Sequence, residues 1–207
     1  MFRRSLVPIA LAVLASVGCV PVTEPVGVID KAEPDKGLVG TWTVTKAKGL
    51  VAMLGVETLT VDAPDVKGNP KGLMRATTAE NINDGELAFF TATVGKHTYV
   101  TVLVGTGDND RAPRLHKEGE YAKWQKTEKK RYFVFRYERT GDALTLDCGN
   151  HDAFRKLMDD AKIDSSGPKY VPHFETPAGW LDKYLAKTGP DKVFDGTNVI
   201  ELKREKK

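Results

Sequence analysis

The chain has 207 residues, of which 41% are hydrophobic and 29% are charged, proportions close to those of soluble globular domains. Its formal charge of +3 includes Arg3 and Arg4; without these two, 29 of the 31 basic residues remain against 28 acidic ones. This balance gives no electrostatic case for binding nucleic acid. A single domain of this length buries enough surface to fold without a metal or a disulfide.

Residues 1–18 have the pattern of an export leader. Two arginines precede an apolar stretch, Leu6–Val17, which is too short to span a bilayer comfortably. Ser16–Cys19 resembles the lipobox of bacterial lipoproteins, although that motif usually has Leu where Ser16 stands. The alternative is a plain secretory leader that happens to contain a cysteine.

The lipobox resemblance implies that Cys19 is acylated and becomes the new N-terminus. The acyl chains would then anchor the protein to a membrane on the extracytoplasmic side. Val20, rather than Asp, follows Cys19, and this resembles the bacterial signal for the outer membrane. Under this reading Cys148 has no partner for an internal disulfide.

Residues 19–37 are rich in Pro and Gly, carry mixed charges and show no apolar periodicity. Such a composition predicts a lipid-anchored flexible tether. The folded domain is then expected to cover residues 38–207.

Alternation of apolar and polar residues within this domain predicts about eight β-strands, most of them linked as hairpins. Gly95-Lys96 is a tight turn typical of an antiparallel hairpin. A sheet of this size usually closes on itself to remove its edges, so we expect a mainly β fold, a barrel. The predicted strands are Val39–Ala47, Val56–Asp62, Gly72–Thr78, Leu87–Val94, His97–Gly105, Arg131–Arg139, Ala143–Cys148 and Asn198–Arg204.

Two helices are predicted before the last strand. The first has Asn150 as N-cap and an apolar face from Phe154 to Ala161. The second has Thr176 as N-cap, Pro177 in its first turn, and Gly189-Pro190 at its end. The long polar stretch 106–130 also allows a short helix near Tyr121–Gln125.

Gly40-Thr41-Trp42 resembles the Gly-x-Trp signature of the lipocalins and the wider calycin group. In that family the Trp closes the barrel floor and a basic residue of the last strand stacks over its indole, a role that Arg204 is placed to fill. The helix pair before the last strand also resembles the calycin order, whereas the lipocalin Thr-Asp-Tyr motif is absent. Residues 38–205 further resemble a group of bacterial lipoproteins, a likeness that implies no activity.

Five aromatic residues are candidates to line a barrel cavity for a small hydrophobic ligand. They are Phe89, Tyr99, Phe133, Phe135 and Tyr137. The competing hypothesis is an envelope structural or protein-interaction module whose barrel is filled by its own side chains and whose 106–130 loop makes the contacts. An open cavity of several hundred cubic ångströms would favour the ligand, and a packed interior would exclude it.

The sequence favours a binding protein over an enzyme, and we expect no cofactor. Cys148 lies near His151, a pairing that can activate a thiol; its alternation with Leu144 and Leu146 instead predicts a core residue. Asp108-Asn109-Asp110 lacks the rest of a calcium loop, and the four histidines have no metal-ligand spacing. The basic run 126–131 is expected to be a solvated loop, with anionic headgroups as the alternative contact.

Overall fold

The chain folds into a closed antiparallel β-barrel. A computed structural model of the protein describes residues 21–49, 52, 55–78, 85–104, 112–115, 117–127, 130–166 and 173–206. The first seven barrel strands are β1 (Gly40–Ala47), β2 (Thr58–Asp62), β3 (Met74–Thr77), β4 (Glu86–Val94), β5 (His97–Val104), β6 (Arg131–Thr140) and β7 (Ala143–Asp147). A separate two-stranded sheet is formed by β8 (Ser165–Ser166) and β9 (His173–Phe174), and the barrel ends with β10 (Val199–Arg204).

The last strand closes the barrel by inserting between β1 and β7. Every strand pairs antiparallel with its neighbours in the circular order β1-β10-β7-β6-β5-β4-β3-β2. A short helix, α1 (Glu120–Gln125), lies between β5 and β6, while α2 (His151–Asp160) and α3 (Trp180–Thr188) precede β10. The predicted fold class, an eight-stranded antiparallel barrel with two helices before the last strand, is confirmed.

The turn between β4 and β5 shows how local sequence sets the register. Val94 pairs with His97, so only Gly95 and Lys96 lie between the strands. Gly95 adopts φ +62°, a left-handed conformation that favours glycine. The predicted two-residue hairpin is therefore present, and its register fixes which side chains of both strands point into the barrel.

The two helices before β10 begin in different ways. The side chain of Asn150 caps α2 as predicted, because it accepts from the backbone N–H groups of Asp152 and Ala153 at 3.0 and 3.2 Å. The cap predicted for α3 is wrong. That helix begins after Gly179, while the hydroxyl of Thr176 accepts from the backbone N–H of Glu24 at 3.2 Å, so another segment of the chain takes the group that local sequence assigns to the helix.

The barrel has two hydrophobic cores, one inside and one outside. The lumen cluster is formed by the inward side chains of all eight strands, including Trp42, Met74, Phe89, Phe133 and Leu202. The outer cluster lies on the opposite face of β4, β5 and β6, where α1, α2 and α3 pack. Its buried residues include Phe90, Tyr99, Leu103, Tyr132, Val134, Trp124, Phe154, Met158, Leu181 and Phe194.

The N-terminal segment, residues 21–37, is part of this outer packing and is not the flexible tether that its composition predicts. Val22 is fully buried and exchanges two backbone hydrogen bonds with Tyr132, at 3.0 and 2.9 Å. Phe174 of β9 donates to the carbonyl of Pro21 at 3.2 Å. The segment thus bridges β6 and β9, so its backbone polar groups are satisfied by strands far away in sequence.

Further along, the same segment lies directly against the barrel wall. The buried hydroxyl of Thr101 donates to the carbonyl of Val26 at 3.1 Å. Gly27 has φ +81°, and a Cβ atom there would lie 2.2 Å from the Cβ of Ala92, so only glycine allows this approach. The backbone N–H of Gly27 donates to Asp182 of α3 at 3.1 Å. Residues 21–37 therefore belong to the folded domain, which was expected to start at residue 38, and residues 1–20 lie outside the described part.

Replacing the buried Val22 by Ala tests this packing. We expect Val22→Ala to lower the free energy of unfolding by about 2 kcal/mol, because two buried methyl groups are lost. The matched control, Val28→Ala, removes the same atoms from a side chain that is 53% exposed, and it should cost less than about 0.5 kcal/mol. Urea denaturation measures both. Equal small effects would mean that the segment does not contribute to stability.

Candidate ligand site in the barrel lumen

The two ends of the barrel differ. At the closed end, β1 begins and β10 ends; at the opposite end, here called the mouth, β5 ends and β6 begins. Residues 35–37, the end of the N-terminal segment, cross the closed end together with Leu38 before β1 starts. Leu38 is 2% exposed and packs in the lumen cluster, so it acts as a plug beneath the barrel.

Trp42 and Arg204, the pair predicted from the lipocalin resemblance, contact each other at the closed end. The Cζ atom of Arg204 lies 4.6 Å from the centroid of the Trp42 ring, within the range of a cation–π contact. The indole N–H of Trp42 donates to the carbonyl of Leu38 at 2.7 Å, and the guanidinium of Arg204 donates to the carbonyl of Gly37. Both side chains therefore hold the crossing segment in place.

Tyr137 adds a second fastening at the same end. Its hydroxyl donates to Asp35 at 2.7 Å, and the other oxygen of Asp35 accepts from the backbone N–H of Gly37 at 2.7 Å. Burial, with the neighbouring Asp35 carboxylate, raises the pKa of Tyr137 well above its usual value, so the hydroxyl stays a donor over the physiological pH range. Ligand entry through this end would require breaking the whole network.

Above this plug the lumen contains a cavity of about 110 Å³. Apart from Thr78, every residue that lines it is aliphatic or aromatic; the walls include Leu59, Ala76, Leu87, Phe89, Val102 and Phe135. Among the lining residues, Val56 precedes β2 and Thr78 follows β3, so both are on the mouth side of the barrel. Residues 50–51, 53–54 and 79–84, which belong to the connections on that side, lie outside the described residues.

Four of the five aromatic candidates belong to the lumen cluster. Phe89 and Phe135 line the cavity, whereas Phe133 and Tyr137 pack nearer its ends. Tyr99 was expected beside them but lies on the outer face, where its ring is 5.7 Å from that of Phe194. The inward residues of β5 are Val100, Val102 and Val104. The sequence placed Tyr99 on the wrong side because both faces of this strand are apolar, and alternation alone does not say which one is inside.

The aliphatic residues that line the cavity are not among the five predicted ligand-binding residues, which are all aromatic. Leu59, Leu87, Val102, Leu146 and Ile200 all line the cavity. The sequence carries a signal for three of them, since Leu59, Leu146 and Ile200 stand two positions from another apolar residue on strands whose opposite face is mainly polar. Leu87 and Val102 lie on strands with two apolar faces, where alternation does not identify the inner one.

Cys148 and His151 do not form a reactive pair. Cys148 is 1% exposed and packs in the lumen cluster, as the alternation with Leu144 and Leu146 predicts. His151 instead lies 3.6 Å from the exposed carboxylate of Asp152 at the start of α2. A buried thiol in apolar surroundings is a small hydrophobic residue rather than a nucleophile.

Arg136, on the outer face of the barrel, links β6 to the segment before β10. Its guanidinium donates to the exposed carboxylate of Asp191 at 2.7 Å and to the buried carboxylate of Asp147 at 3.4 Å. Asp147 also accepts from the backbone N–H groups of Gly149 and Gly196, both at 2.9 Å. Burial raises the pKa of Asp147 against the opposing effect of these donors. These bonds hold the segments around Gly149 and Gly196 against the barrel. Both carboxylate oxygens of Asp147 are used in them, so the role of this residue is structural.

Other candidate chemistry is limited. Among the residues that the structure describes, no three His, Cys, Asp or Glu side chains lie close enough to hold a metal ion. None of the helices in these ranges is long and apolar enough to cross a membrane. Residues 105–111 and His116, which include the Asp-Asn-Asp turn, are not among those described. A surface groove of about 550 Å³ near Tyr137 is lined mainly by polar and charged residues.

Comparisons of the chain with protein-family models, with curated proteins and with solved structures find no match. The apolar cavity is the concave feature whose lining best fits a small-molecule site, because ligand pockets are mostly apolar.

Loss of Arg204 should loosen the closed end. Arg204→Ala removes both the contact with Trp42 and the bond to Gly37, and we expect a loss of about 2 kcal/mol in the free energy of unfolding. Lys203→Ala is the control, since Lys203 is exposed on the other face of β10, and it should change stability by less than about 0.5 kcal/mol. A similar loss in both variants would show that the Trp42 contact is unimportant.

Two tyrosines should respond in opposite directions to removal of the hydroxyl. The hydroxyl of Tyr99 is buried without a hydrogen-bond partner among the described residues, so Tyr99→Phe should stabilise the protein by about 1 kcal/mol at pH 7. Tyr137→Phe loses the bond to Asp35 and should destabilise it by about 1 kcal/mol. Guanidinium denaturation distinguishes these outcomes, and a loss of stability in Tyr99→Phe would contradict the first.

The buried hydroxyl of Tyr99 also predicts that the stability of the protein falls at alkaline pH. Burial raises the pKa of Tyr99 from 10.0 to about 12, so its neutral form is favoured in the folded state. Below pH 10 the phenol is neutral in both the folded and the unfolded state. Between pH 10 and 12 only the unfolded chain ionises, so the free energy of unfolding falls as the pH rises through this range. Tyr99→Phe should therefore lose less stability than the wild type between pH 10 and 12, and parallel curves would refute this assignment.

Proposed function

We propose that this chain is an extracytoplasmic lipoprotein, anchored through Cys19, with a lipocalin-like barrel that binds one slender apolar ligand. The observation that carries the proposal is the cavity of about 110 Å³ with its apolar lining. The leader pattern of residues 1–19 and the Trp42–Arg204 contact at the closed end support it further. The same leader pattern supports a location in the cell envelope.

The size of the cavity limits the ligand. Sites for drug-sized molecules usually measure about 300–1,000 Å³, whereas an engineered apolar cavity of about 150 Å³ holds a benzene ring. A lumen of about 110 Å³ is smaller than both, and smaller than the several hundred cubic ångströms expected of an open ligand cavity, so it has room for part of a single hydrocarbon chain and is too small for haem. Without a polar group in the walls other than Thr78, affinity would come from burial of apolar surface.

The way in must be the mouth. The closed end is blocked by Leu38, by the Trp42–Arg204 contact and by the bond between Tyr137 and Asp35. The cavity extends toward the mouth, because Val56 and Thr78, at the mouth-side ends of β2 and β3, are part of its lining. An apolar chain would thus enter with its tail pointing toward Trp42 and would keep any polar headgroup near the mouth.

The second candidate is a protein-interaction module without a ligand. The specific observation in its favour is the small volume of the lumen, which is below the usual range for binding sites. In that case the barrel would serve as a rigid support, and contacts would come from the connection between β5 and β6. The two candidates differ in whether the cavity is ever occupied.

Filling the cavity discriminates between them. Ala76 lines the lumen and is 6% exposed, and Ala76→Leu would place three more carbon atoms in the space proposed for the ligand. Residues 20–207 are purified without detergent, and native mass spectrometry is recorded before and after adding fatty acids of increasing chain length. Ala122→Leu, the same change at an exposed position of α1, is the control.

We expect the wild type and Ala122→Leu to carry or take up one fatty acid, and Ala76→Leu to lose uptake by about tenfold while its stability is unchanged or higher. Binding that survives in Ala76→Leu would place the ligand elsewhere. A mass without bound ligand in all three proteins, at every chain length, would refute the carrier function and favour the interaction module.

A further inference from the structure

The path of the N-terminal segment runs along the whole height of the barrel, from the mouth to the closed end. Val22 pairs with Tyr132, the second residue of β6, at the mouth. Val26 lies at Thr101 in the middle of β5, and Gly37 lies at Arg204 at the closed end. The described chain therefore starts beside the mouth.

The distance from there to Cys19 is short. Only Val20 separates Cys19 from Pro21, and an extended chain advances at most about 3.6 Å per residue. Pro21 is itself buried, and its carbonyl accepts from Phe174. A lipid on Cys19 would thus be attached within about 7 Å of a point fixed to the barrel wall. So short a link would keep this end of the barrel next to the membrane.

The charge of the neighbouring surface agrees with a membrane on this side. In the connection between β5 and β6, the described residues 112–115, 117–127 and 130 contain five Lys and Arg against two Glu, and the whole of residues 105–130 contains seven basic against five acidic residues. Its helix α1 is held at the mouth, because the indole N–H of Trp124 donates to the carbonyl of Val104 at 3.1 Å. Lys117 and Lys126 are exposed there. Basic residues so close to an anchored lipid attract anionic headgroups.

We propose that the mouth of the barrel faces the lipid bilayer and that the closed end points away from it. This inference rests on the proposed acylation of Cys19 and adds an orientation to it. The partner is a membrane surface with anionic lipids. An apolar ligand could then pass between the acyl-chain region and the lumen with little exposure of its tail to water, which is the costly part of such a transfer.

Two matched lysines at opposite ends of the barrel allow a direct test. Lys126→Cys lies at the mouth and Lys96→Cys lies in the β4–β5 turn at the closed end; both positions are exposed. The full chain is produced in a bacterium that processes lipoproteins, labelled with a fluorophore, and reconstituted in vesicles of phosphatidylcholine and phosphatidylglycerol. Cys148 is 1% exposed, and the chain without an added cysteine is the labelling blank.

A nitroxide carried by the lipid headgroups quenches only nearby fluorophores. We expect about threefold stronger quenching at position 126 than at position 96, since the barrel strands separate the two ends by about 20 Å. Insertion of a Gly-Ser spacer of about 12 residues after Val20 should remove most of this difference while the protein stays on the vesicles.

The outcomes are separated by mass spectrometry and vesicle flotation of the same samples, with Cys19→Ala as the control for anchoring. An acylated chain that floats but shows equal quenching at both positions, or stronger quenching at position 96, would overturn the orientation and leave the anchor intact. A chain that is not acylated and does not float would overturn the anchor, and the orientation with it.

Discussion

The apolar outer face of β4, β5 and β6 is the constraint from which much of the remaining structure follows. A barrel strand usually turns one face to the lumen and the other to water, but these three strands carry residues such as Phe90, Tyr99 and Val134 on the outside as well. Leaving them exposed would create a large apolar patch. The helices and the N-terminal segment cover it, so segments that look peripheral in the sequence are required parts of the fold.

That cover also determines where the barrel is sealed. The N-terminal segment can cover β5 and β6 only by running along them, so it reaches the closed end in position to cross beneath the lumen. There Trp42, Tyr137 and Arg204 each bond to it or to the residues that follow it. Packing on the outside and closure at one end are in this way two results of one chain path.

Local patterns in the sequence were sufficient for the barrel but not for its cover. Alternation and the Gly95 turn identify strands because they act over a few residues. Val22 and Val26 carry no such signal, since their partners, Tyr132, Phe174 and Thr101, are far away in the chain. Tyr99 was assigned to the wrong side because period-two alternation locates two faces without naming the inner one. Thr176 has the right chemistry for a helix cap and is used by Glu24 instead. Three of the aliphatic cavity residues lay within reach of the same alternation, whereas the volume of the cavity depends on packing that no local rule provides.

The position of β10 has a consequence for how this protein acquires its structure. β10 is the last strand of the described residues, and it supplies the only link between β1 and β7 in the described barrel. Until residues 199–204 are available, β1 has an unpaired edge and the floor beneath Trp42 lacks Arg204. Contacts between residues so distant in sequence form slowly, because long loops must close first. The barrel therefore cannot close until residues 199–204 have been synthesised, and the preceding seven strands keep open edges at β1 and β7 until then.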